Sequence, residues 1–327
     1  MLDWPISLAD VERARLRTKA FLTKTPLMAH PLLDEAVGHD IRVWVKHENH
    51  QPTGSFKVRN GLSAVTALGV EERARGVTAA TRGNHGLGIA YSARALGCKA
   101  TICVPIGNNP EKNAAMKALG ADVIERGRDY DEAVLTANEL VHQRGMTLIH
   151  STNDVSVIAG AATMSLEIWE DAPELDALVI AVGGGSQAVG ALTIARELAP
   201  HWDVYAVQAA GASAICDSFH AKKPLKKDSA DTFADGLATR STYEKTFGAL
   251  LAGLRDFVTV TDAEIAEAVR AYLSATHNLA EGAGAAGLAG LMKLGPRLAG
   301  KRVGIVLSGG NIDRETLKRV LVQKDAM

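Results

Sequence analysis

The stretch Lys46-His47-Glu48-Asn49-His50-Gln51-Pro52-Thr53-Gly54-Ser55-Phe56-Lys57-Val58-Arg59-Asn60 decides how the rest of the chain is read. A strand-like run from Ile41 to Lys46 leads into it. Pro52 and Gly54 then break the chain, and Phe56 onward reads as a helix. Lys57 therefore falls in the first turn of a helix, just past a glycine-containing turn. An ordinary lysine is a solvated surface charge. At this place the positive end of the helix dipole disfavours a cation. Burial there would lower the amine pKa, as an amine nucleophile requires.

Upstream, Ser7 followed by Asp10 has the form of a capping box, which predicts a helix over 8–19. Downstream, from Gly76, short apolar runs alternate with amphipathic ones. Strands are predicted at 77–80, 100–104, 122–124 and 147–149, with helices at 85–96, 110–119 and 130–143 between them. Such alternation implies a parallel sheet with right-handed crossovers. A second series follows: helix 157–170, strand 178–182, helix 188–198, strand 204–207, a helix from the Thr261–Glu264 capping box, a Gly/Ala-rich helix from Gly282, and strand 303–307. The charged segment 221–247 reads as an irregular loop.

Three turns carry chemistry-bearing residues. Thr81-Arg82-Gly83-Asn84-His85-Gly86 lies between a strand and a helix. Open αβ sheets bind ligands at the carboxyl ends of their strands, and backbone amides at a helix N-terminus suit a carboxylate. By itself, a Gly-Asn turn with a capping asparagine reads the same way. Gly183-Gly184-Gly185-Ser186-Gln187 also follows a strand. Consecutive glycines let backbone N–H groups converge on an anion without Cβ obstruction. Ser308, in Leu307-Ser308-Gly309-Gly310-Asn311, closes the last apolar strand, where a serine is ordinarily a turn former.

Together these four stretches, in this order along essentially the whole chain, resemble the fold type II pyridoxal-phosphate (PLP) enzymes, within the threonine/serine dehydratase and serine racemase branch. The resemblance implies an α/β, tryptophan synthase β-like fold, with two parallel-sheet αβ domains and the cofactor in the cleft between them. Residues 1–75 and 153–327 would form the large PLP-binding domain, and 76–152 a small mobile one. Lys57 matches the Schiff-base lysine and general base, with Phe56 beside it. Thr81, Arg82, Gly83 and His85 match the loop that grips the substrate carboxylate, and Asn84 the contact to the cofactor's 3-hydroxyl. Gly183, Gly184, Gly185, Ser186 and Gln187 match the tetraglycine phosphate loop, with Ser186 at the fourth glycine. Ser308 matches the serine that faces the pyridine nitrogen. A neutral alcohol there leaves the ring a weaker electron sink than a carboxylate would, which favours elimination over transamination. Glu281 matches a family glutamate near the cofactor.

Two departures matter. Dehydratases of the family carry alanine at the place of Arg82, and serine racemases a proton-donating serine. Arginine holds its proton too tightly to shuttle it, so racemisation is not expected as the main activity. Arg82 either points at a substrate group, as guanidinium pairs with carboxylates and stacks on rings, or is a solvent-facing or structural residue. The other departure is at Gln208 and Ala214, where racemase-like relatives have acidic ligands for a divalent cation. An amide and a methyl replace them poorly, so no metal is expected.

Composition bounds the rest. A chain of 327 residues exceeds a typical single domain, and 47% apolar residues support a large core. A net charge of −1 gives no sign of a nucleic-acid partner or of membrane attraction. No apolar stretch approaches the length of a membrane span, and Met-Leu-Asp-Trp-Pro lacks the start of a signal peptide. Cys98, Cys103 and Cys216 have no metal spacing and fit a reducing cytoplasm. The expected activity is a PLP-dependent ammonia-lyase acting on a β-hydroxy-α-amino acid. Threonine or serine is the default substrate, and a bulkier 3-substituted serine such as phenylserine, a hydroxyaspartate or a hydroxylated diamino acid the variant. The alternatives are β-replacement, as in cysteine synthases, and a PLP-binding protein without catalysis. A homo-oligomer, dimer or tetramer, is expected.

Overall fold

The computed structural model describes residues 4–322. In chain order its strands are β1 (Leu27–Ala29), β2 (Arg42–His47), β3 (Val77–Ala80), β4 (Ala100–Val104), β5 (Asp122–Glu125), β6 (Thr147–Leu148), β7 (Ala177–Ala181), β8 (Asp203–Ala209), β9 (Asp256–Val260) and β10 (Arg302–Leu307). They form two sheets. The larger has the order β1-β2-β10-β7-β8-β9 and the smaller β5-β4-β3-β6. Every pairing is parallel except the edge pair β1–β2. The two parallel αβ sheets that the alternation implies are therefore present.

The larger sheet is buried on both faces, so its strands are continuous apolar runs rather than alternating ones. Along β7 the period of two sends Leu178 and Ile180 into one core and Ala177, Val179 and Ala181 into the other. The first core is closed by helices Leu8–Thr18, Val155–Asp171 and Ser186–Leu198, the second by Pro31–Val37, Asp262–Thr276 and Gly282–Leu294. Both expected capping boxes form, at Ser7 with Asp10 and at Thr261 with Glu264.

Helix Lys57–Ala67 links the two sheets. Phe56 is its N-cap, one residue later than expected. Ala64 and Val65 enter the small sheet's core beside Val77, Ala79 and Ile102. Its first turn lies against the end of β10, where the Phe56 N–H donates to the Ser308 carbonyl at 3.0 Å. It crosses helix Asn84–Ala95 at a paired glycine contact. A Cβ on Gly61 would stand 2.5 Å from the Gly88 carbonyl oxygen, and one on Gly88 2.4 Å from the Lys57 carbonyl oxygen. Backbone thus meets backbone there, which fixes Lys57 relative to the Asn84 helix.

Part of segment 221–247 is more regular than expected. Helix Glu244–Gly253 begins inside it and β9 follows, neither of which the sequence reading anticipated. Thr246, Ala249 and Leu250 bury one face of that helix, and the sheet recruits β9 as its edge. Helix Ser186–Leu198 starts two residues earlier than expected, directly at the end of the glycine run.

Candidate active site

The turn before Lys57 is stitched to the C-terminal end of β10. Ser55 bridges Gly309, and the Gly310 N–H donates to the Gly54 carbonyl at 2.9 Å. This places the Lys57 amine inside a cavity between the ends of the two sheets. The amine donates to the Ser151 carbonyl at 3.3 Å and stands 5.0 Å from the centre of the Phe56 ring. It has no carboxylate partner among the described residues. Burial alone pushes its pKa down to about 8.

The other three turns reach the same cavity, so every residue singled out in them lies on its wall. In the Thr81–His85 turn, Thr81 and His85 are buried and Arg82 is exposed. Thr81 Oγ1 accepts from the Gly83 N–H at 2.9 Å. Burial first, and the nearby Lys57 second, pull His85 down to about 3, so the ring is neutral. Its Nε2 donates to the Ile149 carbonyl at 2.9 Å, and Nδ1 is buried without a partner among the described residues. Arg82 makes no hydrogen bond or ion pair among the described residues.

In the glycine run, Gly185 takes φ +102°, and Ser186 enters the helix with ordinary backbone, so a serine is accommodated there. The carbonyls of Gly183 and Gly184 are drawn away by the hydroxyls of Thr239 (3.1 Å) and Thr246 (2.9 Å). The N–H groups of Gly184, Gly185 and Ser186 find no backbone acceptor among the described residues. A Cβ on Gly183 would stand 2.1 Å from the Gly236 carbonyl oxygen and one on Gly184 2.0 Å from Thr152 Oγ1. The Gln187 amide nitrogen is buried without a partner among the described residues. Ser308 is buried, with Oγ 3.4 Å from the Ala283 carbonyl.

The structure adds wall residues that the sequence reading did not single out: Lys112, Tyr130, Ser151, Thr152, Asp235, Thr239 and Tyr243. Ser151 and Thr152 follow β6, so the rule that parallel sheets bind at carboxyl strand ends could have found them. Asp235 and Tyr243 come from the segment read as a loop and carry no comparable local signal. Lys112 Nζ lies 3.2 Å from Asp235 Oδ2 and 4.0 Å from Glu281 Oε2. Glu281 also accepts from the Asn84 amide, and burial raises its pKa.

Such a cavity offers a buried amine for an aldehyde and a nest of free N–H groups for a phosphate. It also offers a neutral hydroxyl for a ring nitrogen and a helix N-terminus for a carboxylate. Over residues 19–309 the chain matches the family described as pyridoxal-phosphate dependent enzyme. The L-threonine ammonia-lyase of Thermotoga maritima is 36% identical over 317 residues, 97% of this chain and 78% of that protein. A threonine deaminase from the organism abbreviated T.th. superposes with a TM-score of 0.88 at 35% identity, over 94% of this chain and 99% of that one. Maize serine racemase superposes with a TM-score of 0.92 at 27% identity, over 97% of each. The chain belongs to the pyridoxal-phosphate-dependent enzyme family and is a lyase of the fold type II class. Its cofactor is pyridoxal phosphate. The buried Lys57 amine, without a carboxylate partner among the described residues, and the N–H groups of the glycine run fit that group.

Proposed function

We propose that this lyase is an ammonia-lyase of the threonine/serine type, converting a β-hydroxy-α-amino acid to a 2-oxo acid and ammonia. The observation that carries the reading is the Lys57 amine, held without a carboxylate partner in the cavity shared by the Gly183–Gln187 run, the Thr81–His85 turn and Ser308. The relatives named for threonine ammonia-lyase and threonine deaminase support it.

Pyridoxal phosphate supplies an aldehyde that condenses with amines and a ring that withdraws electrons from Cα. Lys57 would hold the aldehyde, and the N–H groups of Gly183, Gly184, Gly185 and Ser186 the phosphate, with Gln187 behind them. Asn84 would hold the ring hydroxyl, Ser308 the ring nitrogen, and Phe56 one flank. The N–H groups of the Thr81–His85 turn would hold the substrate α-carboxylate. Once displaced by the substrate amine, Lys57 would take the Cα proton, a role its lowered pKa suits at neutral to mildly alkaline pH. Ser308, as a neutral alcohol, would give the ring nitrogen no counter-charge, which would favour elimination. Residues 76–152 would move as a small domain over the substrate and exclude water.

A bulkier substrate such as 3-phenylserine belongs in the same test. Serine, threonine and 3-phenylserine are assayed for 2-oxo acid and ammonia with wild type and Lys57→Ala. Turnover is expected in the wild type and none in the variant. Release of no 2-oxo acid from any of them leaves a PLP-binding protein without catalysis. A thioether product in the presence of a thiol, at the expense of 2-oxo acid, makes the reaction β-replacement instead. No helix among the described residues is long and apolar enough to cross a membrane. We propose a cytoplasmic homo-oligomer, dimer or tetramer, which light scattering on the purified protein tests.

A further inference from the structure

Three side chains on the cavity wall, Arg82, Tyr130 and Tyr243, carry donors with few partners among the described residues. Arg82 offers five N–H groups in a planar fork and spends none of them on a described residue. Tyr130 and Tyr243 share its wall. Among the described residues the Tyr130 hydroxyl meets only Ser151 Oγ, at 3.3 Å. Tyr243 packs edge-on against His150, with ring centres 5.4 Å apart, and its hydroxyl has no partner among the described residues. Burial raises the pKa of both phenols, so each is a neutral donor. The two carboxylates on the wall are already engaged, Asp235 by Lys112 and Glu281 by Asn84 and Lys112.

Position separates Arg82 from the residues that suit the α-carboxylate. Thr81 and His85 are buried around the start of helix Asn84–Ala95, whereas Arg82 is the exposed member of the turn. Its guanidinium is therefore left on the cavity wall for a group other than the α-carboxylate. A methyl gives these donors nothing to bind. An aryl ring could stack on the guanidinium but would give the Tyr243 hydroxyl no acceptor, and an unpaired desolvated donor is costly. A second carboxylate matches the guanidinium fork and accepts from the phenols as well.

Resting on the ammonia-lyase reading above, we propose that Arg82, Tyr130 and Tyr243 form a subsite for an anionic β-substituent, so that the preferred substrate is of the 3-hydroxyaspartate class. The reaction balances without an oxidant or reductant. The Cα proton goes to Lys57, the Cβ–O bond breaks and the hydroxyl leaves with a proton as water. The resulting enamine becomes an imine, and one water hydrolyses it to oxaloacetate and ammonia.

The test compares kcat/KM of the holoenzyme for threo- and erythro-3-hydroxyaspartate, serine, threonine and 3-phenylserine. A hydroxyaspartate is expected to lead. Arg82→Ala is expected to lower its kcat/KM relative to that of serine by roughly 10- to 100-fold, the range for a charge-assisted hydrogen bond. A second readout needs no turnover. By calorimetry, succinate should bind the holoenzyme at least about tenfold more tightly than butyrate, and Arg82→Ala should remove the difference. The proposal is overturned if threonine or phenylserine leads, if Arg82→Ala lowers all substrates equally, as a grip on the α-carboxylate would, or if succinate binds no better than butyrate. If no hydroxy amino acid is turned over while borohydride still fixes the cofactor on Lys57, the ammonia-lyase reading itself fails.

Discussion

Asn311 donates its side-chain amide to Asn84 Oδ1 at 2.8 Å, joining the segment after β10 to the first residue of the helix that leaves the small sheet. The same amide donates to the Thr53 carbonyl at 2.8 Å, so one side chain ties together the lysine turn and the Asn84 turn. Asn311→Ala leaves both acceptors short of a donor. The expected cost is about 0.5–1.5 kcal/mol per bond, with weaker retention of the cofactor, read by dialysis followed by absorbance. Wild-type cofactor retention in a stable variant would show that the bridge is incidental.

Lys57 gives a pH dependence with a definite sign. Its folded pKa of about 8 lies below the ordinary 10.5. Between those values the unfolded chain binds more protons than the folded one. Stability of the cofactor-free protein therefore rises with pH across that window, and the burial penalty of the ammonium is present in full below it. The free amine appears over the same range, so capture of pyridoxal phosphate by the cofactor-free protein should accelerate up to about pH 8 and then level off. A capture rate still climbing toward pH 10 would mean an ordinary lysine. Borohydride reduction and peptide mapping should place the pyridoxyl label on Lys57, and a label elsewhere would reject its role.

Arg59, two residues past Lys57, is buried between Glu48 and Glu167. Nε and Nη2 donate to Glu48 at 2.8 Å each, and Nη1 and Nη2 to Glu167 at 2.7 Å each. Lys46, also buried, pairs with Glu167 at 2.6 Å. Removing the guanidinium leaves two buried carboxylates with one cation between them. Arg59→Ala is expected to cost about 3–5 kcal/mol in urea unfolding. Arg59→Lys should recover little, because an ammonium cannot serve both carboxylates in two bidentate contacts. A loss in Arg59→Ala below about 1 kcal/mol would mean that the network is solvated in solution.

Gln208 spends its carboxamide on protein. Oε1 accepts from the N–H groups of Ile215 (3.2 Å) and Cys216 (3.0 Å), and Nε2 donates to Thr239 Oγ1 at 3.2 Å. Thr239 in turn holds the Gly183 carbonyl. A cation at this place would have to compete with those bonds, so dialysis against EDTA should leave turnover and Tm unchanged. A loss restored by Mg²⁺ or Ca²⁺ would contradict this. Gln208→Ala should cost about 1–3 kcal/mol and loosen the phosphate loop, seen as faster cofactor release.

What the sequence determined by itself was local. Capping boxes, apolar runs and glycine turns record short-range preferences, so most strands and helices, and the four turns that meet at the cavity, could be read before any contact was known. Only the tertiary structure decided what those turns would meet. Lys112, Asp235 and Tyr243 reach the wall from a helix or loops whose own neighbours in sequence say nothing of a cavity. The exposure of Arg82 beside a buried Thr81 follows from how the turn lies on the small sheet. Lys57 has a lowered pKa because the end of β10, the small sheet and the Ser151 segment close around it and remove water. Desolvation depends on everything that packs against a group, and that is a property of the folded chain rather than of any segment.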